Sequence, residues 1–184
     1  MEQILDAATT VFADVGLERG TTNAIAAEAG ISPGSLYQYF ADKQAIATAL
    51  WQRYADRLQA AHAPAPEFDP MTASLAELTD RLIDPAFALK VRHRDFAKLL
   101  AHADGPGLER IQQTNTEFEQ RIQQILRRRN PDLPSATVAN CTAMVFAIFH
   151  SAVSTAEPIT GDTDTDLAEL KAATLAYLAV RGIR

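Results

Sequence analysis

The fold of this protein is decided by one short stretch, TTNAIAAEAGISPGSLYQYFADKQ, which runs from Thr21 to Gln44. The pattern predicts a helix that ends at Gly30, then a turn and a second, shorter helix. A helix-turn-helix unit needs a small residue where its helices cross, a residue that tolerates positive φ four places later, and two further apolar contacts. All four are present at the required offsets, as Ala26, Gly30, Ile31 and Leu36.

The second helix of this segment is predicted to bury one face and to expose the other. Ser32 can cap its start, and Pro33 suits the first helical position because its missing N–H is not needed there. If Leu36 and Phe40 point inward, the outer face presents a nearly uncharged set of residues: Pro33, Gly34, Tyr37 and Gln38, with Ser32 and Ser35 at the N-terminus and Tyr39 on the flank.

The residue types on this outer face fit the groove of a DNA duplex. Hydroxyl groups and free backbone N–H groups donate hydrogen bonds to phosphate oxygens, and Gln38 can read a base edge in the major groove. Gly34 would let the helix backbone approach a partner closely, and Lys43 would reach an adjacent phosphate. The alternative is that both tyrosines are half-buried packing residues at a domain joint.

The composition is that of an ordinary globular chain. Of its 184 residues, 47% are hydrophobic and 22% are charged, which excludes a disordered protein. A single cysteine, Cys141, rules out an internal disulfide and fits a reducing compartment. The N-terminus lacks a basic segment before its apolar residues, and no run reaches the roughly 18 apolar residues of a membrane span. We therefore expect a soluble, cytoplasmic protein without a membrane partner.

The period of the apolar residues predicts an all-α fold. Further helices are expected before Gly16, from Asp42 to the loop at 62–70, from about 71 to 103 with a kink or break at Pro85, from 108 to the loop at Asn130, from 138 to 153, and from about 165 to 180. The segment Val138–Val153 is apolar nearly all round and must be covered on every side. This predicts a subunit interface, with the last helix packed beside it.

The stretch from Thr21 to Gln44 strongly resembles the DNA-binding region of TetR-family transcriptional regulators, including the GSLYQYF core and the lysine that follows it. The specific resemblance covers about Ile4 to Leu50. It implies an N-terminal three-helix helix-turn-helix DNA-binding domain at 1–43 and a C-terminal helical bundle at 44–184 for ligand binding and dimerisation. It also implies a homodimer through the last two helices. By this resemblance the DNA-contacting positions are Thr21, Thr22, Asn23, Ser32, Pro33, Gly34, Ser35, Tyr37, Gln38, Tyr39 and Lys43.

The function that the resemblance implies is a ligand-responsive transcriptional regulator. We expect a repressor that a small lipophilic or aromatic effector releases from a pseudo-palindromic operator on double-stranded DNA. Candidate effector-binding residues are Trp51, Tyr54, Phe87, Phe96, Phe118, Phe146, Phe149 and His150, because ligand cavities are mostly apolar with few polar groups. His150 interrupts the most apolar helix, and it is either a core or interface histidine or a ligand contact.

The charge of the N-terminal segment favours an alternative function. Its first fifty residues hold two basic side chains against six acidic ones, which is unusual for a surface that neutralises phosphates. A helical small-molecule carrier that has lost DNA binding would explain this count. If DNA is bound, affinity relies on neutral donors and depends weakly on salt.

Other chemical patterns in the sequence are weaker. Asp162, Asp164 and Asp166 resemble the start of a calcium loop, but glycine and glutamate are missing later in it, so we expect helix capping. The run Arg127–Arg129 ends a helix, where it complements the helix dipole. None of the four histidines has metal-ligand spacing, and no catalytic constellation is present. We expect no enzyme, no cofactor and no metal.

Overall fold

All regular elements are helices in the part of the chain that the computed structural model describes, which is residues 1–63, 67–92, 106–154 and 158–184. The predicted all-α fold is confirmed. The helices there are α1 (Glu2–Arg19), α2 (Thr22–Glu28), α3 (Pro33–Tyr37), α4 (Lys43–Ala61), α5 (Leu75–Arg92), α6 (Pro106–Arg129), α7 (Ser135–Ser154) and α8 (Thr163–Val180).

The chain divides into two compact units. The first contains residues 1–57 and, among later described residues, 106–112; the second contains 58–92 and 113–184. The boundaries therefore fall inside α4 and α6. The predicted domain limit at residue 43 lies at the start of α4, and it stays a prediction.

The turn between α2 and α3 depends on Gly30. This residue has a φ of 65°, a left-handed conformation that glycine adopts without steric cost. The amide of Gly30 donates to the carbonyl of Ala27 at 3.1 Å, and the amide of Ile31 donates to that of Ala26 at 2.9 Å. This pair of bonds is a Schellman motif, which satisfies the last carbonyls of α2 and redirects the chain. The positive φ expected from the sequence is confirmed.

The core of the first unit is apolar and nearly closed to solvent. Helix α1 packs against α2, and α2 packs against α3. The most enclosed side chains come from all four helices of the N-terminal segment: Ala8, Phe12, Ile25, Ala26, Leu36, Ile46 and Leu50. Gly16 has a non-helical φ of 81° inside α1, at the position where the sequence predicted the helix to stop. One further helical turn follows it to Arg19.

The start of α5 is set by a capping box. The amide of Glu77 donates to the Ser74 hydroxyl at 3.1 Å, and the amide of Ser74 donates to the Glu77 carboxylate at 2.8 Å. These bonds satisfy two free donors at the helix start and lower the pKa of Glu77. The helix therefore begins at Leu75 rather than at about residue 71, and the predicted continuation from 93 to 103 lies outside the described residues.

Helix α5 runs through Pro85, so the predicted break there is wrong, while the kink that was its alternative stays a prediction. Proline deprives the carbonyl one turn earlier of its hydrogen bond. Helix α5 also packs against both α7 and α8. Ile83 and Phe87, on either side of the proline, are buried in one apolar cluster with Ala152 and Leu170. Packing on both sides of the proline outweighs its local cost.

The end of α6 is tied to two distant segments by Arg129. Its guanidinium donates to the carbonyls of Pro70 and Ala73 at 2.7 Å each and to that of Arg184 at 2.9 Å. Asn130 adds a bond to the backbone amide of Arg184 at 2.9 Å. Arg129, which belongs to the arginine run predicted to complement the helix dipole, thus also holds three segments of the second unit together.

We predict that Gly20→Ala destabilises the protein. An added Cβ would lie 2.5 Å from Cδ1 of the Phe12 ring, which is only 2% exposed and packed in the core. Overpacking of this kind costs about 1 to 3 kcal/mol, which urea denaturation would measure. The control is Gly34→Ala, where the nearest atom to the added Cβ is 3.8 Å away. Equal free energies of unfolding for the two variants would contradict this account.

Candidate nucleic-acid interface and ligand cavity

Helix α3 ends at Tyr37, and together with the turn that follows it to Phe40 it buries one face and exposes the other. Leu36 and Phe40 are 0% and 7% exposed, whereas Tyr37 and Tyr39 are 52% and 58% exposed. Gln38 is exposed as well. The inward and outward orientations predicted for these residues are confirmed, and the half-buried alternative for the two tyrosines is wrong. Contact of this face with DNA stays a prediction.

The N-terminus of α3 is open and prearranged. The Ser32 hydroxyl accepts a hydrogen bond from the amide of Ser35 at 3.1 Å and contacts the Ser35 hydroxyl at 2.9 Å. Pro33 occupies the first helical position. Beside it, a Cβ atom added at Gly34 would meet only the Ser32 hydroxyl oxygen, at 3.8 Å. Ser32, Pro33 and Gly34 are all exposed, so backbone and small side chains remain accessible to a partner.

A hydroxyl pair connects this face to the start of α2. The Oγ1 atom of Thr22 lies 2.9 Å from the Oη atom of Tyr37. The hydroxyl of its neighbour Thr21 caps α2 by accepting from the amide of Ala24 at 3.1 Å. The bond between Thr22 and Tyr37 fixes the exposed ring, which reduces the entropy that it would lose on binding. The sequence offered no sign of this pair beyond the presence of both residues.

The acidic count of the N-terminal segment is partly offset by α4. Arg53 lies 3.1 Å from the Glu2 carboxylate and 2.7 Å from that of Asp6, and Arg57 is 3.7 Å from Glu2. Both arginines belong to the first unit but follow residue 50, so the sequence count omitted them. Lys43 is half-buried, and its Nζ donates to the carbonyl of Glu18 at 2.8 Å. Its ammonium is therefore held near the end of α1.

The second unit contains an apolar cavity between α5, α6, α7 and α8. Its free space is about 40 Å³, little more than a single water molecule occupies. Three of the predicted effector residues line it. The lining comprises Leu75, Leu78, Thr79, Leu82, Ile83, Phe118, Ile122, Leu126, Thr142, Val145, Phe146, Phe149, Thr174 and Leu178. We call this the inner cavity.

A larger cavity of about 220 Å³ adjoins it and has a polar edge. It is lined by Ala61, His62, Ala63, Phe68, Pro70, Leu78, Arg81, Leu82, Pro85, Phe118, Arg121, Ile122 and Ile125. We call this the outer cavity. It shares part of its wall with the inner cavity, and this shared wall consists of Leu78, Leu82, Phe118 and Ile122.

His62 is the functional candidate that sequence reasoning missed. Its ring stacks on Phe118 with centroids 3.7 Å apart, and Arg121 donates to its backbone carbonyl. The side chain is 7% exposed, and neither ring nitrogen has a hydrogen-bond partner. Burial, with the charge of Arg121 and the proximity of His150, lowers the pKa of His62 to about 4. The four-residue spacing Tyr54, Leu58, His62 was the signal that could have indicated its inward orientation.

The remaining predicted effector residues are dispersed. Trp51 and Tyr54 belong to the first unit, where burial raises the pKa of Tyr54 to about 12. Phe87 is buried in the apolar cluster beside Pro85 and lines neither cavity, while Phe96 lies outside the described residues. His150 has ring contacts with Phe146 and Phe149 at 6.1 and 6.0 Å, and burial lowers its pKa.

Of the three aspartates predicted to cap the last helix, Asp162 does so, whereas Asp166 binds the loop that precedes α8. Asp162 caps the helix by accepting from the amide and hydroxyl of Thr165 at 2.8 and 2.7 Å. Asp166 is buried and accepts from the amides of Ile159 and Thr160 at 2.8 and 2.9 Å. Within the described ranges, no group of three or more His, Cys, Asp or Glu side chains is placed to hold a metal ion.

One described helix meets the length and composition test for a membrane span. It is the Ser135–Ala152 part of α7, and 28% of that window is buried within the chain. A core helix of a soluble protein passes the same test.

We predict that acid weakens the fold partly through His62. Its pKa falls from about 6.5 in the unfolded chain to about 4 in the folded one, so the unfolded state binds the proton first. The stability due to the neutral ring is complete above pH 6.5 and is lost as the pH falls toward 4. Between pH 7 and pH 5 the free energy of unfolding should drop by about 2 kcal/mol less in His62→Phe than in the natural protein.

The measurement is urea denaturation of both proteins at the two pH values. Glu77 and Asp162 have lowered pKa values, so they lose their contributions only at more acidic pH and do not interfere. Parallel losses in both proteins would rule out a neutral, buried His62.

Two curated relatives match this chain in part. It is 36% identical over 95 residues to the A-factor receptor protein of Streptomyces griseus, covering 52% of this chain and 31% of that protein. It is 31% identical over 122 residues to the HTH-type transcriptional repressor KstR2 of Mycolicibacterium smegmatis, covering 63% of this chain and 58% of that protein. The chain thus matches less than two thirds of the length of either relative.

Solved structures share the fold over nearly the whole chain. A TetR-like transcriptional regulator from Rhodococcus sp. RHA1 superposes with a TM-score of 0.69 at 22% identity, covering 97% of this chain and 94% of that one. The regulator FadR from Bacillus subtilis, solved in complex with stearoyl-CoA, gives a TM-score of 0.68 at 24% identity, covering 100% and 99% of the two chains. At these identities the likeness concerns the fold.

Two family models match the sequence. Residues 4–50 match the bacterial regulatory proteins of the tetR family. Residues 74–178, more than half of the chain, match the tetracyclin repressor-like C-terminal domain. The predicted resemblance to TetR-family regulators is confirmed by these matches. The chain belongs to the TetR family of bacterial regulatory proteins.

Proposed function

We propose that this protein is a ligand-responsive transcriptional repressor that binds double-stranded operator DNA as a homodimer. The observation that carries the proposal is an exposed face formed by α3 and the turn after it, where Tyr37, Gln38 and Tyr39 are exposed while Leu36 and Phe40 are buried. This helix lies inside the segment that matches the tetR-family model. An uncharged, projecting helix of this kind fits a major groove better than a flat protein surface.

The proposed DNA contacts divide into two kinds. Gln38 reads a base edge, and Gly34 allows the helix backbone to approach the bases. Phosphate oxygens are bound by hydroxyls, amides and one ammonium, which fix the register of the protein on the duplex. The phosphate-binding set is Thr21, Thr22, Asn23, Ser32, Pro33, Ser35, Tyr37, Tyr39 and Lys43, in which Pro33 contributes only van der Waals contact.

The proposed effector is lipophilic and binds in the second unit. Support comes from the apolar lining of the inner cavity and from the larger volume of the outer one. The relative that was solved with stearoyl-CoA has the same fold. An effector can release DNA only to the extent that it binds the DNA-free conformation more tightly than the DNA-bound one.

The proposed dimer interface is formed by α7 and α8, which pack against each other within one chain. Both helices still expose small and apolar side chains to solvent: Ala136, Ala143, Met144 and Ala147 on α7, and Ala168, Ala172, Ala173, Ala176, Ala179 and Val180 on α8. Small side chains let helices of a second subunit approach closely. Covering this surface would also account for an apolar α7 in a cytoplasmic protein, which is the location that we propose.

Substitutions on α3 should weaken DNA binding without unfolding the protein. Gln38→Ala should cost about 1 to 3 kcal/mol, because a base contact is lost, and Tyr37→Ala should cost about 1 kcal/mol. Gly34→Ala should also weaken binding, since its new methyl group would lie on the proposed contact face, with only the Ser32 hydroxyl oxygen near it at 3.8 Å, and would hold the DNA away from the helix backbone. A mobility-shift assay on DNA flanking the protein's own gene measures all three.

The matched control for this assay is Gln124→Ala, which removes an exposed glutamine from α6. It should bind DNA like the natural protein. If these three variants shifted DNA as strongly as the natural protein, the proposal that this face contacts DNA would be wrong. A natural protein that binds lipophilic ligands but no genomic fragment at low salt would instead favour the carrier function.

Charge on the α7–α8 surface should dissociate the dimer. Ala147→Glu and Ala176→Glu each place a carboxylate on an exposed position of these helices. In a two-fold interface each charge would be desolvated and close to its copy. We expect the dissociation constant to rise by at least about a hundredfold, as measured by analytical ultracentrifugation. Ala60→Glu, an exposed position on α4, is the control, and dimers of equal strength in all three variants would exclude this interface.

A further inference from the structure

The outer cavity contains a buried imidazole without a partner. His62 is 7% exposed, and both of its ring nitrogens lack hydrogen bonds. A buried polar group left in this state costs about 1 to 3 kcal/mol, so folded proteins usually satisfy it. Its stacking on Phe118 holds the ring flat against one cavity wall. The two nitrogens are thus fixed in place with their hydrogen-bonding capacity unused.

Two guanidinium groups line the same cavity. Arg121 lies with its Cζ atom 5.2 Å from the centre of the Phe118 ring, and Arg81 lies with its Cζ atom 5.5 Å from the centre of the Phe68 ring. No carboxylate is among the side chains that line this cavity in the described part of the chain. Arg121 donates to the His62 carbonyl, which leaves most of its five N–H donors for another acceptor.

The walls beyond this polar edge are apolar. Leu78, Leu82, Phe118 and Ile122 separate the outer cavity from the inner one. The inner cavity has little free space in this conformation but is lined almost wholly by apolar side chains. Displacement of this shared wall would join two spaces, one with a cationic edge and one without any charge.

We infer that the outer cavity binds an amphiphilic carboxylic acid, with its carboxylate on His62 and Arg121 and its apolar chain directed over Phe118 toward the inner cavity. The inference rests on the proposed function, because it names the chemical class of the effector. A carboxylate accepts hydrogen bonds from the neutral imidazole N–H and from the guanidinium, and both bonds to the anion are charge-assisted. Arg81 adds positive charge at the rim.

The charge pattern disfavours two other classes of amphiphile. An alcohol of the same chain length would leave the guanidinium of Arg121 without an anion. An alkyl ammonium would meet two positive side chains and no negative one. The cavity therefore discriminates by head group, while the length of the apolar chain is set by how far the wall between the cavities opens.

The test is isothermal titration calorimetry of the full-length protein with decanoic acid, decanol and decylamine. Decanoic acid should bind at least about tenfold more tightly than decanol, since a hydrogen bond to a charged group is worth more than one to a neutral group. Decylamine should bind most weakly. Equal affinities for the acid and the alcohol, or no binding of the acid, would overturn the inference.

Variants locate the head group. Arg121→Gln should weaken decanoic acid by about tenfold or more and leave decanol unchanged, whereas Arg121→Lys should recover part of the loss. The control is Arg128→Gln, an exposed arginine on the same helix. His62→Phe keeps a stacking ring but removes both unsatisfied nitrogens. It should weaken decanoic acid and raise the melting temperature of the free protein by a few degrees.

The same preparations distinguish this inference from the proposed function. A protein that shifts operator DNA but binds decanoic acid no better than decanol would retain the regulator function and lose the acid site. A protein that binds decanoic acid through Arg121 but shifts no DNA would retain the site and lose the regulator function. Decanoic acid bound with equal strength by Arg121→Gln and Arg128→Gln would show that it occupies another place.

Discussion

The positive φ of Gly30 is the constraint on which the first unit depends. It redirects the chain between α2 and α3, so that Leu36 of α3 and Phe40, which follows the end of α3, reach the apolar core formed with Ile25 and Ala26. A side chain at this position would be strained in the same conformation. Because burial of Leu36 and Phe40 fixes the orientation of this short segment, Tyr37, Gln38 and Tyr39 face outward. The exposed face is therefore a consequence of the turn and the core, and the hydroxyl pair of Thr22 and Tyr37 only refines it.

The second unit differs from the first in that a buried polar side chain, His62, has no hydrogen-bond partner for either ring nitrogen. Proteins of this size normally fill their cores with apolar side chains and pair every buried polar group. Here an imidazole and a half-buried guanidinium border an open cavity, and the price is a less stable free protein. Such frustration is typical of binding sites. The adjoining inner cavity is nearly closed, so any ligand that occupies it must move the shared wall. A ligand that needs this movement binds the conformation with the moved wall more tightly than the closed one, and such a difference in affinity is what ligand control of a protein requires.

In each unit, acidic side chains form ion pairs with basic side chains of the same unit. Acidic residues of α1 are paired with arginines of α4, and Lys171 in the second unit pairs with Asp80 and Asp84. The overall formal charge of −6 therefore says little about any single surface. On α3 there is no charge to neutralise phosphates, and the neutral donors that remain are directional. They favour specificity over strength, since hydrogen bonds depend on geometry whereas long-range charge does not.

The sequence by itself determined the all-α fold, the helix-turn-helix segment, the outward face of α3 and the capping role of Asp162. Each of these depends on contacts within a few turns of helix, where residue type and spacing fix the geometry. Tertiary structure decided the rest. It carried α5 through Pro85 by packing on both sides and buried Phe87 away from both cavities. It also brought His62, at the end of α4, against Phe118 and Arg121 of α6. His62 is more than fifty positions from both of them. No local sequence pattern predicts this contact, because long-range packing selects among many locally equivalent arrangements.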